Sequence, residues 1–203
     1  MPIASAQVKS AILLAGLHAR NRTIIREEVP SRDHTERMLE GFGYPVDRHA
    51  NHIVLQPGGT LRAADLTIPG DFSSAAFFLV AATVVPGSRI ELYSIGMNPT
   101  RTGLLDILQS MGAKIQIKNS RTEAGEPVSD LVSESSDLHG VDVSSALVSR
   151  AIDEFPVLSI AAAYDKGVTR ISGAGELRFK ESDRIATVVA GLQALGIVAR
   201  EQS

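Results

Sequence analysis

Phe179-Lys180-Glu181-Ser182-Asp183-Arg184 interleaves two cations with two carboxylates, just after a glycine-rich turn, Ser172-Gly173-Ala174-Gly175. Read as the opening of an amphipathic helix, it sets Lys180 and Arg184 four apart on one face, with Glu181 three from Arg184. Free backbone N–H groups at a helix N-terminus already favour anions, so these side chains would suit a phosphorylated ligand on which a proton must also be moved. A solvated helix start laced with salt bridges accounts for the same residues. Asp153-Glu154 is the second candidate. Two adjacent carboxylates precede the apolar run Phe155-Pro156-Val157-Leu158-Ser159-Ile160, so at least one is expected beside low-dielectric surroundings, the setting for general acid–base work. An N-cap aspartate is the other reading. His18, His34, His49, His52 and His139 are scattered without metal-ligand spacing, and no metal site is expected. Gly58-Gly59 and Gly173-Ala174-Gly175 are too short for a dinucleotide or phosphate-loop fingerprint.

The elements that must position these residues come in repeats. Residues 5–19 read as an apolar helix with Ser5 as N-cap, followed by a strand at 23–26. A second helix at 34–40 stops at Gly41 and Gly43, and strands are expected at 44–48, 52–56 and 65–69. The order recurs: an apolar helix at 71–84, a strand at 88–92, an amphipathic helix at 100–111 ended by Gly112, and a strand at 113–118. A polar insertion at 119–125 and strands near 127–133 and 138–143 complete that unit. A third round gives an apolar helix at 153–163, a strand at 168–172, an amphipathic helix at 180–195 ended by Gly196, and the start of a strand at 197–200. Such self-similarity means stacked copies of one α/β unit, each with a buried apolar helix and an exposed amphipathic one. A division at Ile68-Pro69-Gly70 would put 1–69 in one lobe, as its last unit, and 70–203 in another, as two units with the last incomplete. A single continuous domain with a loop there is the alternative. The helices begin at Ser5-Ala6-Gln7, Ser31-Arg32, Asp71 with Ser73 and Ser74, Thr100-Arg101, Asp153-Glu154 and Lys180-Glu181. Packed around a common axis, several positive helix ends could face one cleft, although capping explains each alone.

Composition bounds the reading. The 203 residues hold 44% hydrophobic and 21% charged side chains with only 4% aromatic and no Trp, so the core must rest on Ala, Val, Ile and Leu. A net charge of −3 and a pI near 6.0 argue against a nucleic-acid binder with a basic surface. The absence of Cys excludes disulfides and thiol chemistry and leaves the compartment open. No apolar run is long enough to span a bilayer, and no signal peptide is apparent. The first helix starts almost at once, with no lead-in strand, as expected of a chain cut from something larger.

Taken in order, Ser5-Ala6-Gln7-Val8-Lys9-Ser10-Ala11, Ser31-Arg32-Asp33-His34-Thr35-Glu36, Gly70-Asp71-Phe72-Ser73-Ser74-Ala75, Asn98-Pro99-Thr100-Arg101-Thr102-Gly103, Ile152-Asp153-Glu154-Phe155-Pro156 and Lys180-Glu181-Ser182-Asp183-Arg184 resemble the 5-enolpyruvylshikimate-3-phosphate synthase family. UDP-N-acetylglucosamine enolpyruvyl transferase shares the unit architecture, but the first and last motifs are similar to the shikimate enzyme. The resemblance implies an α/β (α+β) enolpyruvyl-transferase fold of two lobes, each built from βαβαββ units around a pseudo-threefold axis, with the site in the cleft. It implies transfer of the enolpyruvyl group from phosphoenolpyruvate to the 5-hydroxyl of shikimate 3-phosphate, releasing phosphate, with no cofactor, in the cytoplasm. By position, Ser5, Ala6 and Gln7 resemble the loop that holds shikimate 3-phosphate, with Gln7 also reaching phosphoenolpyruvate, and Ser31 resembles a further phosphate contact. Asp153 matches the carboxylate that orients the hydroxyls of shikimate 3-phosphate and acts as base toward the attacking 5-hydroxyl, and Lys180 matches a shikimate-phosphate contact. Glu181 matches the proton donor and acceptor at C3 of phosphoenolpyruvate, and Arg184 an anion ligand for that substrate. Glu176 stands where some members carry an Asn, and no role is carried over to it.

The family's N-terminal Lys and Arg residues and its late Arg and Lys clamp have no counterpart here, and its chains are about twice as long. The sequence is therefore expected to be a central fragment, inactive alone and prone to self-association, from a parent that is a monomer. A non-catalytic module that binds a phosphorylated ligand or a partner protein is the alternative.

Overall fold

Ser5 starts the first helix by turning its hydroxyl on the helix's own backbone: its Oγ accepts from the Val8 N–H at 3.3 Å. The computed structural model describes Met1 and residues 5–202. The stretch before Ser5 where no lead-in strand was expected, residues 2–4, lies outside the described residues, as does residue 203. Two compact units result, Met1–Ile68 with Arg121–Val128, and Pro69–Ser120 with Ser129–Ser203.

In the first unit, α1 (Ala6–Gly16) leads to β1 (Thr23–Arg26), α2 (His34–Gly41), β2 (Val46–Arg48) and β3 (His52–Leu55). The strands lie in the order β1-β3-β2, both pairs antiparallel. A Cβ on Gly16 would meet Thr23 Oγ1 at 2.8 Å, so the close approach of α1 to β1 requires glycine. Leu13, Ile25, Leu39, Tyr44, Ile53 and Leu55 form the core. Residues 121–128 add His34 Nδ1 to Glu126 at 2.7 Å and Arg37 Nη1 donating to the Gly125 carbonyl at 3.0 Å.

In the second unit, α3 (Phe72–Val84) is capped by Asp71, which accepts from the Ser74 N–H at 2.8 Å. Next come β4 (Arg89–Gly96), α4 (Gly103–Ser110), β5 (Lys114–Glu123) and β6 (Glu126–Glu134), with sheet order β4-β6-β5. The short β7 (Asp142–Val143) pairs in parallel with β8 (Arg170–Ile171). Between them lie α5 (Ser145–Arg150), a 3-10 turn at Ile152–Glu154 and α6 (Phe155–Ala163), and a second 3-10 turn, Gly175–Phe179, precedes α7 (Arg184–Ala194). Fully buried Ala76, Leu79, Leu104, Leu108, Met111, Leu131, Leu158 and Ala161 tie α3, α4, α6 and β6 into one apolar core. Among the described residues no helix is long and apolar enough to cross a membrane.

The repeated punctuation is structural. Helices α2, α4 and α7 each end on a glycine with positive φ: Gly43 at 75°, Gly112 at 96° and Gly196 at 80°. In each, that glycine's N–H and the next residue's N–H turn back on the last turn. Gly43 bonds Glu40 and Tyr44 bonds Leu39, Gly112 bonds Gln109 and Ala113 bonds Leu108, and Gly196 bonds Gln193 and Ile197 bonds Leu192. This Schellman closure, with an apolar residue after the glycine, is one local solution used three times.

Four expectations are corrected. Residues 65–69 form no strand: Ile68 is 82% exposed, Pro69 has no N–H to donate, and pairing begins only at Gly70, which bridges Ile95. The polar insertion is mostly strand, since β5 and β6 run to a two-residue turn, Ala124-Gly125, with both φ positive. β5 is exposed along nearly its whole length, which is why it lacks the alternation of a half-buried strand. Residues 197–200 carry no strand. The helix expected over 180–195 begins only at Arg184.

Candidate active site

That late start decides the geometry of the charged stretch. Gly173 has φ 79°, and a Cβ there would lie 2.5 Å from Ser145 Cβ, so glycine is required where the chain turns toward Gly175–Phe179. Lys180 is extended, with ψ −160°, and Asp183 caps α7 by accepting from the Ala186 N–H at 3.0 Å. That hydrogen bond, with Arg178 at 3.0 Å, holds the Asp183 carboxyl below its ordinary range although burial opposes it. Lys180 and Arg184 therefore do not share a helix face. Lys180 Nζ instead pairs with Glu176 Oε1 at 2.7 Å.

Arg184, the first residue of α7, sits between two carboxylates. Its Nη2 donates to Glu181 Oε2 at 2.8 Å, and its Nη1 lies 3.7 Å from Asp153 Oδ1 on the 3-10 turn before α6. The structure thus brings together Asp153, Glu181 and Arg184. The Arg184 hydrogen bond, Glu181's own backbone N–H and the guanidinium charge hold the Glu181 carboxyl below its ordinary value. Glu181 is open to solvent and Arg184 about a quarter exposed, so an incoming anion can compete for the guanidinium.

The adjacent acids separate by burial. Asp153 reaches solvent, whereas Glu154 is 3% exposed, receives the Ser73 hydroxyl, and does not cap α6 through its side chain. Ser73 Oγ in turn accepts from Arg101 Nη2 at 2.6 Å, and the same nitrogen lies 3.2 Å from Asp71 Oδ1. Burial works against ionising Asp71, but hydrogen bonds from Ser74 and the nearby Arg101 charge hold its carboxyl below the usual range. In the sequence Ser73 and Arg101 read as helix starts and as members of the family motifs, with no role assigned. The signal for this network was the buried acid beside Asp153, and which of the two faced inward could not be read from adjacency.

In the first unit, Ser5 and Ala6 are half-buried and Gln7 is exposed in the opening turn of α1, where helix geometry leaves the early N–H groups without an intrahelical acceptor. Ser31 lies between β1 and α2. Its hydroxyl donates to Glu27 Oε1 at 2.5 Å, and its carbonyl accepts from Lys9 Nζ at 3.2 Å. Its one proton is thus already placed, and donation to a phosphate through Oγ requires rotation. Buried Lys9, Glu27 and Glu36 have no role in the sequence reading, although Lys9 and Glu36 fall within its motifs. A depression of about 510 Å³ lined by Met1, Arg26, Glu27, Glu28 and Asn51 holds none of the expected site residues. Among the described residues no cluster of three or more His, Asp or Glu could hold a metal ion.

A family model described as EPSP synthase (3-phosphoshikimate 1-carboxyvinyltransferase) matches residues 1–203. A protein of that enzyme name from Alkalilimnicola ehrlichii is 57% identical over 202 residues, covering 100% of this chain and 45% of the relative. Another from Nitrosococcus oceani is 56% identical over 98% of this chain and 45% of the relative. A solved EPSP synthase from Acinetobacter baumannii superposes with a TM-score of 0.91 at 50% identity, over 95% of this chain and 43% of that one. The chain therefore spans under half the length of the relatives it matches. By the family match over its whole length, it belongs to the EPSP synthase (3-phosphoshikimate 1-carboxyvinyltransferase) family.

Proposed function

We propose that this chain serves, as part of a longer enzyme in the cytoplasm, to transfer the enolpyruvyl group of phosphoenolpyruvate to the 5-hydroxyl of shikimate 3-phosphate with release of phosphate. The observation that carries the reading is Arg184 held between Asp153 and Glu181. The reaction needs two proton movements beside an anion, and this cluster offers two carboxylates beside one cation. In the addition, Asp153 takes the proton of the attacking 5-hydroxyl and Glu181 gives one to the C3 methylene. In the elimination, Glu181 recovers a proton from the C3 methyl as phosphate leaves.

The free-state geometry supports a coupling between binding and that chemistry. While Arg184 bonds Glu181, the carboxyl is held in its charged form. A phosphoenolpyruvate anion that engages Arg184 draws away that hydrogen bond and adds negative charge beside Glu181. Both effects raise its pKa toward a group that can carry a proton. Lys180, Ser5, Ala6, Gln7 and Ser31 are assigned to shikimate 3-phosphate, and Gln7 also to phosphoenolpyruvate. The 203 residues alone are proposed to give no turnover, and to self-associate through exposed apolar side chains such as Phe77 and Phe78 of α3.

The test is Glu181→Gln in the full-length protein. General acid–base catalysis contributes about 10²–10⁴-fold, so kcat is expected to fall by at least about 100-fold while the KM for shikimate 3-phosphate stays within about threefold. A near-normal kcat would remove Glu181 from the mechanism.

A further inference from the structure

Lys9 is 1% exposed, yet its ammonium lies against two carboxylates. Its ammonium has three donors, and three acceptors meet them: Glu36 Oε1 at 2.8 Å, Glu27 Oε2 at 3.1 Å and the Ser31 carbonyl at 3.2 Å. Glu27 spends its other oxygen on the Ser31 hydroxyl. The Lys9 backbone N–H bonds the Ser5 carbonyl at 3.0 Å, so the same residue closes the first turn of α1. Ser10 and Thr35 add a hydroxyl pair at 2.6 Å between α1 and α2. An apolar residue would fill this space as well, but it could not fix the Ser31 loop by direction.

We infer that Lys9 is a positioning residue that locks the loop at Ser31 against the opening turn of α1, making one anion-binding bed of Ser5-Ala6-Gln7 and Ser31. The inference rests on the proposal that those two stretches meet the phosphate of shikimate 3-phosphate. Charge alone does not explain Lys9: with Glu27 and Glu36 it makes a cluster of one cation and two carboxylates, formally −1, and Glu36 Oε2 has no hydrogen-bond partner among the described residues. A bed for phosphate gains nothing from net negative charge beneath it. The bonds Lys9 makes to the loop are what remains.

The double variant Lys9→Met/Glu36→Gln separates position from charge, because it keeps the cluster at −1 and leaves Glu27 to receive the Ser31 hydroxyl. In this chain, the backbone order parameters of Ser31 and Arg32 by NMR relaxation are expected to fall from the rigid range to below about 0.6, with second-unit values unchanged. Shikimate 3-phosphate affinity by calorimetry is expected to fall at least tenfold, and Lys9→Arg alone is expected to retain part of both. Parent-like order parameters, or parent-like affinity in the double variant, would overturn the inference. Should the double variant unfold the first unit, Glu27→Gln, which loosens the same loop and keeps Lys9 on Glu36, is expected to lower the Ser31 order parameter; an unchanged value would overturn it. If the unaltered chain binds no shikimate 3-phosphate, the functional reading fails, and the relaxation measurement still decides whether Lys9 positions the loop.

Discussion

Ser73→Ala offers a quantitative test of how the acid next to Asp153 is held. Glu154 is 3% exposed and receives the Ser73 hydroxyl, and Ser73 Oγ receives Arg101 at 2.6 Å. Hydrogen bonds to charged groups contribute about 1.5–3 kcal/mol, and taking a donor from a buried carboxylate leaves part of its desolvation uncompensated. The alanine variant therefore loses about 2 kcal/mol. In a chain of this size each kcal/mol moves Tm by about 2–4 °C, so a fall of about 4–8 °C is expected. Glu154→Gln keeps an amide oxygen for the Ser73 hydroxyl and costs less, about 1 kcal/mol. Urea unfolding followed by helical circular dichroism on both single variants and the double gives the coupling, expected at about 1–2 kcal/mol. Coupling below about 0.5 kcal/mol would refute the claim that Ser73 anchors Glu154, and with it the account of how the Asp153 turn is fixed.

Asp71→Ala removes the cap of α3 and should cost about 1 kcal/mol near neutral pH by chemical denaturation. The folded Asp71 carboxyl titrates below its ordinary 3.8, so its contribution is fully present above that value and is lost as pH falls through the folded one. The difference between parent and variant should shrink below about pH 4, and a difference that grows on acidification would contradict the assignment. Gly59→Ala drives a Cβ to 2.6 Å from the buried Tyr44 ring, whose hydroxyl donates to the Gln56 carbonyl at 2.7 Å. Overpacking of this kind costs about 1–3 kcal/mol, measurable as a lower urea midpoint. Gly196→Ala meets no atom within 4 Å, so its loss, about 1 kcal/mol by thermal unfolding, should come from positive φ alone.

The three glycine closures were legible because a Schellman turn is local: one residue type, one backbone conformation and one apolar neighbour suffice. The apolar helices α3 and α6 were legible for the same reason, as apolar runs behind polar starts. The start of α7 was not, because Glu181 and Asp183 both carry carboxylates that suit a helix N-terminus, and only the cap bond from Ala186 to Asp183 selects between them. α5 went unread: at six residues, Ser145–Arg150 is too short for its period to show. At the candidate site, motif order pointed to Asp153, Glu181 and Arg184, which the fold gathers. It could not reveal Lys9, since a lone lysine in an otherwise apolar helix reads as reaching solvent until its two carboxylates are seen around it. The pairing of Lys180 with Glu176 was equally hidden, because it depends on a 3-10 turn rather than a helix.

Enolpyruvyl transfer at a site that includes Asp153, Glu181 and Arg184 can be read as phosphate release from phosphoenolpyruvate, measured with the full-length protein in the presence and absence of shikimate 3-phosphate. Release is expected only when both substrates are present, matched one for one by enolpyruvyl product. No release, or release indifferent to shikimate 3-phosphate, would refute transfer at this site.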